Sequence, residues 1–505
     1  MQALLGIDIG TSGCKALLIG LDGAVIAAEV ATYPLSQPRP GWAEQDPELW
    51  IRGAQVSVAG VLAKAPKVEI LCVGLSGQMH GLVALDSRHQ VLRPAILWND
   101  QRTAAECDAM TEAAGGLPGL LAATNNRMLT GYTGSKIVWM RDHEPELYAR
   151  LAVMVNPKDY LRLRLTGEVA TEVSDASGTG LFDVRNRVWS RDLVEAVGID
   201  PRILPPSHES KAISGRISSA GASLFGLPHG VPVAGGGGDS VIQTIGSGVI
   251  APGELQTTIG TAGILAAALD MPQDNPDGRL QVFCNVAADK WHCMGVSLNA
   301  GGAMGWYRDT LCDGPDGAKF SFEDITEAAA GSPAGARGLL FLPYLNGERC
   351  PHPDPHARGA FIGMTSRHTR GDISRAVMEG VVHAFADMHT LMKPLGIGGR
   401  IIKASGGGAR SDLWRQMQAD IFGCKVETTE GAAEGAAFGA ALVAGLAVNV
   451  WPDAEAAAAT CRTLTVNRPD PGKAEVYAKA NRIYRTLYPL LGGCFDALND
   501  LAFDP

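Results

Sequence analysis

Leu4-Leu5-Gly6-Ile7-Asp8-Ile9-Gly10-Thr11-Ser12-Gly13-Cys14-Lys15-Ala16-Leu17-Leu18 opens the chain, and Leu255-Gln256-Thr257-Thr258-Ile259-Gly260-Thr261-Ala262-Gly263-Ile264-Leu265 repeats its pattern in the second half. Each stretch is an apolar strand, a Gly-Thr turn and a second apolar strand. Ile-Gly-Thr-X-Gly aligns in both, and Asp8 is replaced by Thr258. The glycines let the backbone turn tightly, so that amide and hydroxyl donors can face an anion. A carboxylate beside such a turn cannot hold phosphate, but it can hold the magnesium that neutralises phosphate. Two ordinary Gly-Thr hairpins would read the same way one at a time. As a matched pair, one with an acid and one without, they point to a nucleotide gripped by two similar domains.

The chain has 505 residues, too many for one ordinary core, so two or three domains are expected. It is 46% hydrophobic and 19% charged with 62 glycines, a globular, turn-rich composition. A formal net charge of −10 argues against nucleic acid or an anionic membrane surface as the main partner. The ten cysteines form no Cys-X-X-Cys and no Cys/His metal spacing, as expected of a reduced cytosolic protein. The N-terminus enters a strand directly, without the basic region of a signal peptide. The small-apolar run from Gly435 to Val448 is too short for a membrane span and reads as a buried helix packed closely on other backbone. A soluble cytoplasmic enzyme or ATPase is the expectation.

Leu4–Ile9, Cys14–Gly20 and Ala24–Val30 read as three strands joined by glycine turns. Glu48–Ala63 has helical spacing. Ile70–Leu75 and Leu82–Asp86 flank the bend Ser76-Gly77-Gln78-Met79-His80-Gly81. Pro232–Ala234 runs into four glycines, Gly235 to Gly238, then Asp239 and a helix to Gly246. The strand-turn-strand pattern restarts after Pro252, placing a domain boundary near Ile250, with domains 1–249 and 250–505. Val476, Ala480, Ile483, Tyr484, Leu487 and Leu491 make a docking C-terminal helix and read as core.

No P-loop is present, and no Gly-X-Gly-X-X-Gly opens a helix after a strand, so phosphate handling must come from the paired hairpins. Asp239 is either a helix N-cap or a base at the end of a strand, and four preceding glycines exceed what a cap requires. Gln78, Met79, His80, Trp98, Asn99 and Asp100 lie at strand ends in one half of the chain. Amide, imidazole, carboxylate and indole groups suit a neutral polyol. A core histidine and an N-capping Asp100 explain the same residues, and spacing leaves both readings open. Gly406-Gly407-Gly408-Ala409-Arg410-Ser411-Asp412 ends a strand and opens a helix, either as a simple turn or as amides over a nucleotide.

These residues together resemble the FGGY carbohydrate kinases, and among them the branch acting on D-xylulose. The most specific segment is Gly74-Leu75-Ser76-Gly77-Gln78-Met79-His80-Gly81. It is supported by Leu97-Trp98-Asn99-Asp100, Pro157-Lys158-Asp159-Tyr160-Leu161-Arg162, Leu342 to Arg349 and Gly406 to Ser411. The resemblance implies an α/β protein of two ribonuclease H-like (actin/hexokinase-type) ATPase domains with a cleft between them. It implies ATP-dependent phosphorylation of D-xylulose to D-xylulose 5-phosphate, with D-ribulose, sedoheptulose or another polyol as alternative acceptors. A sugar-sensing ATPase on the same scaffold is the rival from another class.

Carried over residue by residue, Asp8 is the magnesium-linked acid and Asp239 the base, both holding Mg2+ through water. Met79 and His80 contact the sugar, with Gln78, Trp98, Asn99, Asp100 and Asp239 beside them. Gly10, Thr11, Ser12, Lys15, Gly260, Thr261, Gly302, Gly407, Gly408 and Asp412 line ATP. The partners implied are a small sugar and ATP, without nucleic acid or membrane, and with a homodimer open. Two departures bear on the sugar's identity. Ser240 stands where Asn or Gln is usual, and Gly134-Ser135-Lys136 where a proline more often precedes the lysine.

Overall fold

In the computed structural model, which describes residues 1–275, 277–312 and 318–502, the chain forms two compact units. The first comprises Met1–Ile250, Ala268–His292 and Glu434–Arg462; the second comprises Ala251–Ala267, Cys293–Ala433 and Thr463–Pro505. The chain after residue 250 is therefore not one block, and two of its segments belong to the first unit.

The first unit is built on a sheet whose strands lie in the order Ile213–Arg216, Pro232–Ala234, Glu69–Gly77, Gln2–Ile9, Gly13–Ile19 and Val25–Thr32. The opening hairpin is antiparallel, with Asp8 opposite Lys15. Gln2–Ile9 pairs in parallel with Glu69–Gly77, which puts Asp8 beside Ser76. Alternation on the opening strand decides what each face meets. Leu5, Ile7 and Ile9 join a core with Trp50, Ala54, Val58 and Val61 of the helix Pro47–Lys64. That helix starts where it does because Asp46 caps the Glu48 amide at 3.0 Å and Pro47 occupies its first turn.

The opposite face carries glycine, and the helix Ala436–Ala447 lies on it. A Cβ at Gly6 would stand 2.0 Å from the Ala437 carbonyl oxygen, and one at Gly74 would stand 1.8 Å from that of Ala440. Gly439 is pressed against the Ile242 carbonyl in the same way, at 2.1 Å. The small residues are there because backbone meets backbone.

The second unit repeats this order. Trp291–Ser297, Gly263–Leu269, Glu254–Ile259, Ile401–Ser405, Lys425–Thr429 and Thr463–Asn467 are neighbours in that sequence. Glu254–Ile259 is antiparallel to Gly263–Leu269 and parallel to Ile401–Ser405, and the far edge strand is antiparallel, as in the first unit. Thr258 thus stands beside Ser405 as Asp8 stands beside Ser76. The C-terminal helix Ala474–Ala502 packs through Tyr484, Leu487 and Phe495 onto Leu342 and Tyr344. Val476 and Ile483, expected in the core, are 43% and 46% exposed. The buried stripe follows Tyr477 and Tyr484, one residue further round the helix than the aliphatic spacing implied. No helix among the described residues is long and apolar enough to cross a membrane.

Candidate active site

Asp8 ends the opening strand, and its Oδ1 is buried without a hydrogen-bond partner. The Ser76 hydroxyl alongside is likewise unpartnered. Burial pushes the Asp8 carboxyl up, while the nearby Ser76 hydroxyl and the Lys15 charge oppose the shift. Lys15 itself is engaged, 2.6 Å from Glu434 Oε2 and 2.9 Å from the Glu434 carbonyl.

Asp239 is the first residue of the helix Asp239–Gly246, and Gly238 holds the capping position. The N-cap explanation of this carboxylate therefore lapses. Its Oδ1 accepts the Ser240 amide at 2.7 Å, and the Met79 amide also donates to the carboxylate. Burial first, and the charge of Asp8 second, push Asp239 up to about 7. Two carboxylates, Asp239 raised in part by the charge of Asp8 and Asp8 carrying an orphaned buried oxygen, fit a hydrated magnesium ion. Among the described residues no cluster of three His, Cys, Asp or Glu side chains offers an all-protein metal cage.

Met79 and His80 form the bend that follows the strand Glu69–Gly77. His80 adopts a left-handed backbone, φ 71°, uncommon for a residue with a side chain. Its carbonyl is held by Lys136 Nζ at 2.8 Å and by the Thr133 hydroxyl at 3.1 Å. Lys136 is fully buried, also donates to the Gly131 carbonyl at 2.5 Å, and is pushed down to about 7 by burial. The His80 ring places Nδ1 2.6 Å from the Gly178 carbonyl, so Nδ1 carries the proton and Nε2 is the acceptor. Tyr132 packs against the same ring at 4.8 Å between centroids. Two glycines admit this bend. A Cβ at Gly178 would lie 2.7 Å from His80 Nδ1, and one at Gly238 would lie 2.5 Å from Met79 Cγ.

Thr11 links the hairpin to the polar cluster. Its hydroxyl donates to Gln78 Oε1 at 3.1 Å and accepts the Trp98 indole N–H at 2.9 Å. Gln45, which the sequence did not single out, bonds Gln78, the Thr11 carbonyl and the Trp50 indole. Trp98 keeps 36% of its surface exposed, a flat face beside Asn99, whose buried Oδ1 accepts no hydrogen bond. Asp100 is fully buried, with its oxygens bonded to the Ala43 amide and to the Arg102 side chain and amide. Its carboxylate is spent inside the unit, behind the surface that carries Trp98 and Asn99.

In the second unit the turn at Gly260 closes through its amide on the Ala262 carbonyl at 3.1 Å. Gly301 and Gly302 donate their amides to the carbonyls of Gly260 and Thr261 at 2.8 and 3.0 Å. The triple glycine packs on the same strand. Gly406 has φ 78°, and a Cβ there would lie 2.6 Å from the Ile259 carbonyl oxygen. Gly260, Thr261, Gly302, Gly407 and Gly408 are thereby gathered at one end of one sheet. Gly407–Arg410 is a short 3-10 turn, and the helix Asp412–Phe422 begins after it, capped by Ser411 on the Trp414 amide at 3.2 Å. Asp412 points to Arg415 and Asn467, with contacts of 2.9 and 3.1 Å.

Models of the FGGY family of carbohydrate kinases match residues 3–246, as its N-terminal domain, and residues 255–448, as its C-terminal domain. The chain belongs to this family. It is a phosphotransferase acting on carbohydrate. A xylulose kinase of Bacillus subtilis is 39% identical over 86% of each chain. A crystal structure of a xylulose kinase from Brucella ovis superposes with a TM-score of 0.91 at 35% identity, over 97% of this chain and 100% of the other. That of a gluconate kinase from Lactobacillus acidophilus gives 0.92 at 26% identity, over 98% and 99%. Kinases named for different sugars thus share the backbone almost equally, and side chains must carry the choice of acceptor.

Sequence reasoning missed Gln45, Lys136 as a clamp on His80, and the residues behind the Gly235–Gly238 turn. Only the last left a signal. Lys158, Asp159 and Arg162 interrupt an apolar helix, and charges there need buried partners.

Proposed function

We propose that this FGGY kinase transfers the γ-phosphoryl group of ATP to D-xylulose, with Asp239 as base, giving D-xylulose 5-phosphate. The observation that carries the reading is the Asp8–Asp239 pair, with Met79 and His80 folded against the turn that bears the base. Asp239 orients the acceptor hydroxyl and takes its proton as the bond to phosphorus forms. A loose phosphoryl transition state asks little base strength, and a carboxylate poised near neutrality is well matched to the task. His80 Nε2 and Asn99 Oδ1 accept hydrogen bonds from sugar hydroxyls, and the Trp98 face stacks on the carbon chain. Gly260, Thr261, Gly302, Gly407 and Gly408 line the nucleotide, the glycines letting it approach the backbone closely. Asp8, with Asp239, would hold magnesium through water, and that ion would neutralise the charge on the phosphate oxygens. The setting is the cytoplasm, where ATP and magnesium are plentiful.

A second reading has support of its own. Ser240 in place of Asn or Gln follows the base directly, and the gluconate kinase backbone fits as well as those of the xylulose kinases. A coupled ADP-release assay with D-xylulose, D-ribulose, sedoheptulose and glycerol separates the acceptors. The expected result is magnesium-dependent ADP release with the highest kcat/KM on D-xylulose. A higher value on another acceptor reassigns the sugar. ADP release that no acceptor raises would make the protein an ATPase.

A further inference from the structure

Behind Asp239 lies a group of charges with no exposure to solvent. Lys158, Asp159 and Arg162 come from the helix Pro157–Thr166, Asp175 from the short helix Val173–Ser177, and Glu172 caps that helix. Lys158 Nζ lies 2.5 Å from Asp159, 3.2 Å from Asp175 and 3.7 Å from Glu172. So many ions taken from water are expensive, and such a cluster is weak evidence for stability alone. Its outward bonds say what it does.

Two of them end on the glycine run that precedes the base. Arg162 Nη2 donates to the Gly235 carbonyl at 2.7 Å. The Gly238 amide donates to Ser174 Oγ at 3.0 Å. Ser174 is oriented for this by Glu172, whose Oε1 accepts the Ser174 hydroxyl at 2.7 Å and the Asp175 amide at 2.8 Å. The other Glu172 oxygen accepts the Ser174 amide and the Ser210 hydroxyl, each at 2.8 Å. A run of four glycines has much backbone freedom to lose, and here its first carbonyl and last amide are both pinned by side chains.

We infer that Ser174, oriented by Glu172, is a positioning residue that fixes the Gly237–Gly238 peptide, one residue before Asp239, and so aims the base. Arg162 does the same at the other end of the run. The proposal rests on Asp239 being the base, and its test separates the two ideas.

The test is a double-mutant cycle on the full-length protein. Asp239→Asn alone tests the base; near-normal turnover there sinks that reading by itself. Ser174→Ala alone should lower kcat about tenfold while both KM values stay within about twofold, since a misaimed base costs rate before it costs binding. In the Asp239→Asn background, Ser174→Ala should leave the residual rate unchanged, because no base remains to be aimed. Ser210→Ala removes a side-chain bond to the same Glu172 but leaves in place the backbone bond from the Gly236 amide to the Ser210 carbonyl, and should keep kcat within about twofold at a similar loss of Tm. Equal falls in both backgrounds, or equal kcat losses in the two serine variants, would make the cluster merely structural and overturn the proposal. Should Ser174→Ala not fold, Ser174→Cys, of similar size and a weaker acceptor, runs through the same cycle with the same criteria.

Discussion

The two units end their opening strands on the same backbone but with different side chains. Asp8 lies beside Ser76 in one and Thr258 beside Ser405 in the other. In the second unit the two hydroxyls bond each other at 2.7 Å, and the pair is closed. In the first, a buried carboxylate oxygen and a buried hydroxyl are both left unpartnered. Leaving such groups unpaired typically costs about 1–3 kcal/mol each. A duplicated scaffold has thus kept one finished copy and one copy held open, with Asp239 added next to the open one. The proposed chemistry falls in the copy that is less comfortable at rest.

Removing the base should have the largest effect. Asp239→Asn is expected to lower kcat about 10²-fold or more, and steady-state turnover close to normal would exclude the role. The same variant tests the discomfort directly. Asp239 titrates near 7 in the folded protein and near the ordinary carboxylate value when unfolded. The folded state therefore binds more protons between those values, and its stability falls as pH rises from about 4 to 7 and then levels. Without magnesium, Asp239→Asn should have a higher Tm than the parent at pH 8 and lose that advantage at pH 4. A Tm difference independent of pH would show that the carboxylate is not strained.

Asp8→Thr turns the first hairpin into a copy of the second. It should cost roughly 10- to 100-fold in kcat and raise the magnesium concentration needed for half-maximal rate, if charge neutralisation at this position matters. An unchanged magnesium titration would separate Asp8 from the metal. The smallest change belongs to the closed copy. Thr258→Val removes one hydroxyl from a pair whose partner Ser405 still reaches the Thr257 carbonyl at 3.2 Å. Stability by urea unfolding should drop by about 1 kcal/mol, with kcat within about twofold. A kinetic effect as large as that of Asp8→Thr would end the argument that the two copies differ in kind.

Much of this was legible in the sequence where one interaction range was enough. The hairpins declared themselves through strict alternation around Gly-Thr turns, because strand register is written in a few adjacent residues. Asp239 after four glycines was readable as more than a cap, and the structure gives the cap to Gly238. What could not be read was where distant segments return. The resemblance sets Lys15 beside ATP, and the structure adds an ion pair to Glu434 from far along the chain. The resemblance sets Asp100 beside the sugar, and the structure adds its buried pairing with Arg102. Ser174 carried no signal, since a serine two residues after a glutamate is unremarkable until Gly238 folds against it. Spacing alone does not tie the hairpin around Asp8 to the polar residues, yet Thr11 bonds both Gln78 and Trp98.

The helix Ala436–Ala447 has a consequence for how the protein is made. It covers the bare backbone at Gly6 and Gly74, so the sheet built from the residues before 250 cannot be sealed until the segment beginning at Glu434 has been synthesised. Until then that sheet keeps an apolar surface open, and a nascent chain stalled before Glu434 would be a client for chaperones rather than a free-standing domain. A fragment cut at residue 250 should accordingly collect in the insoluble fraction, and supplying the missing helix in trans would be the way to recover it.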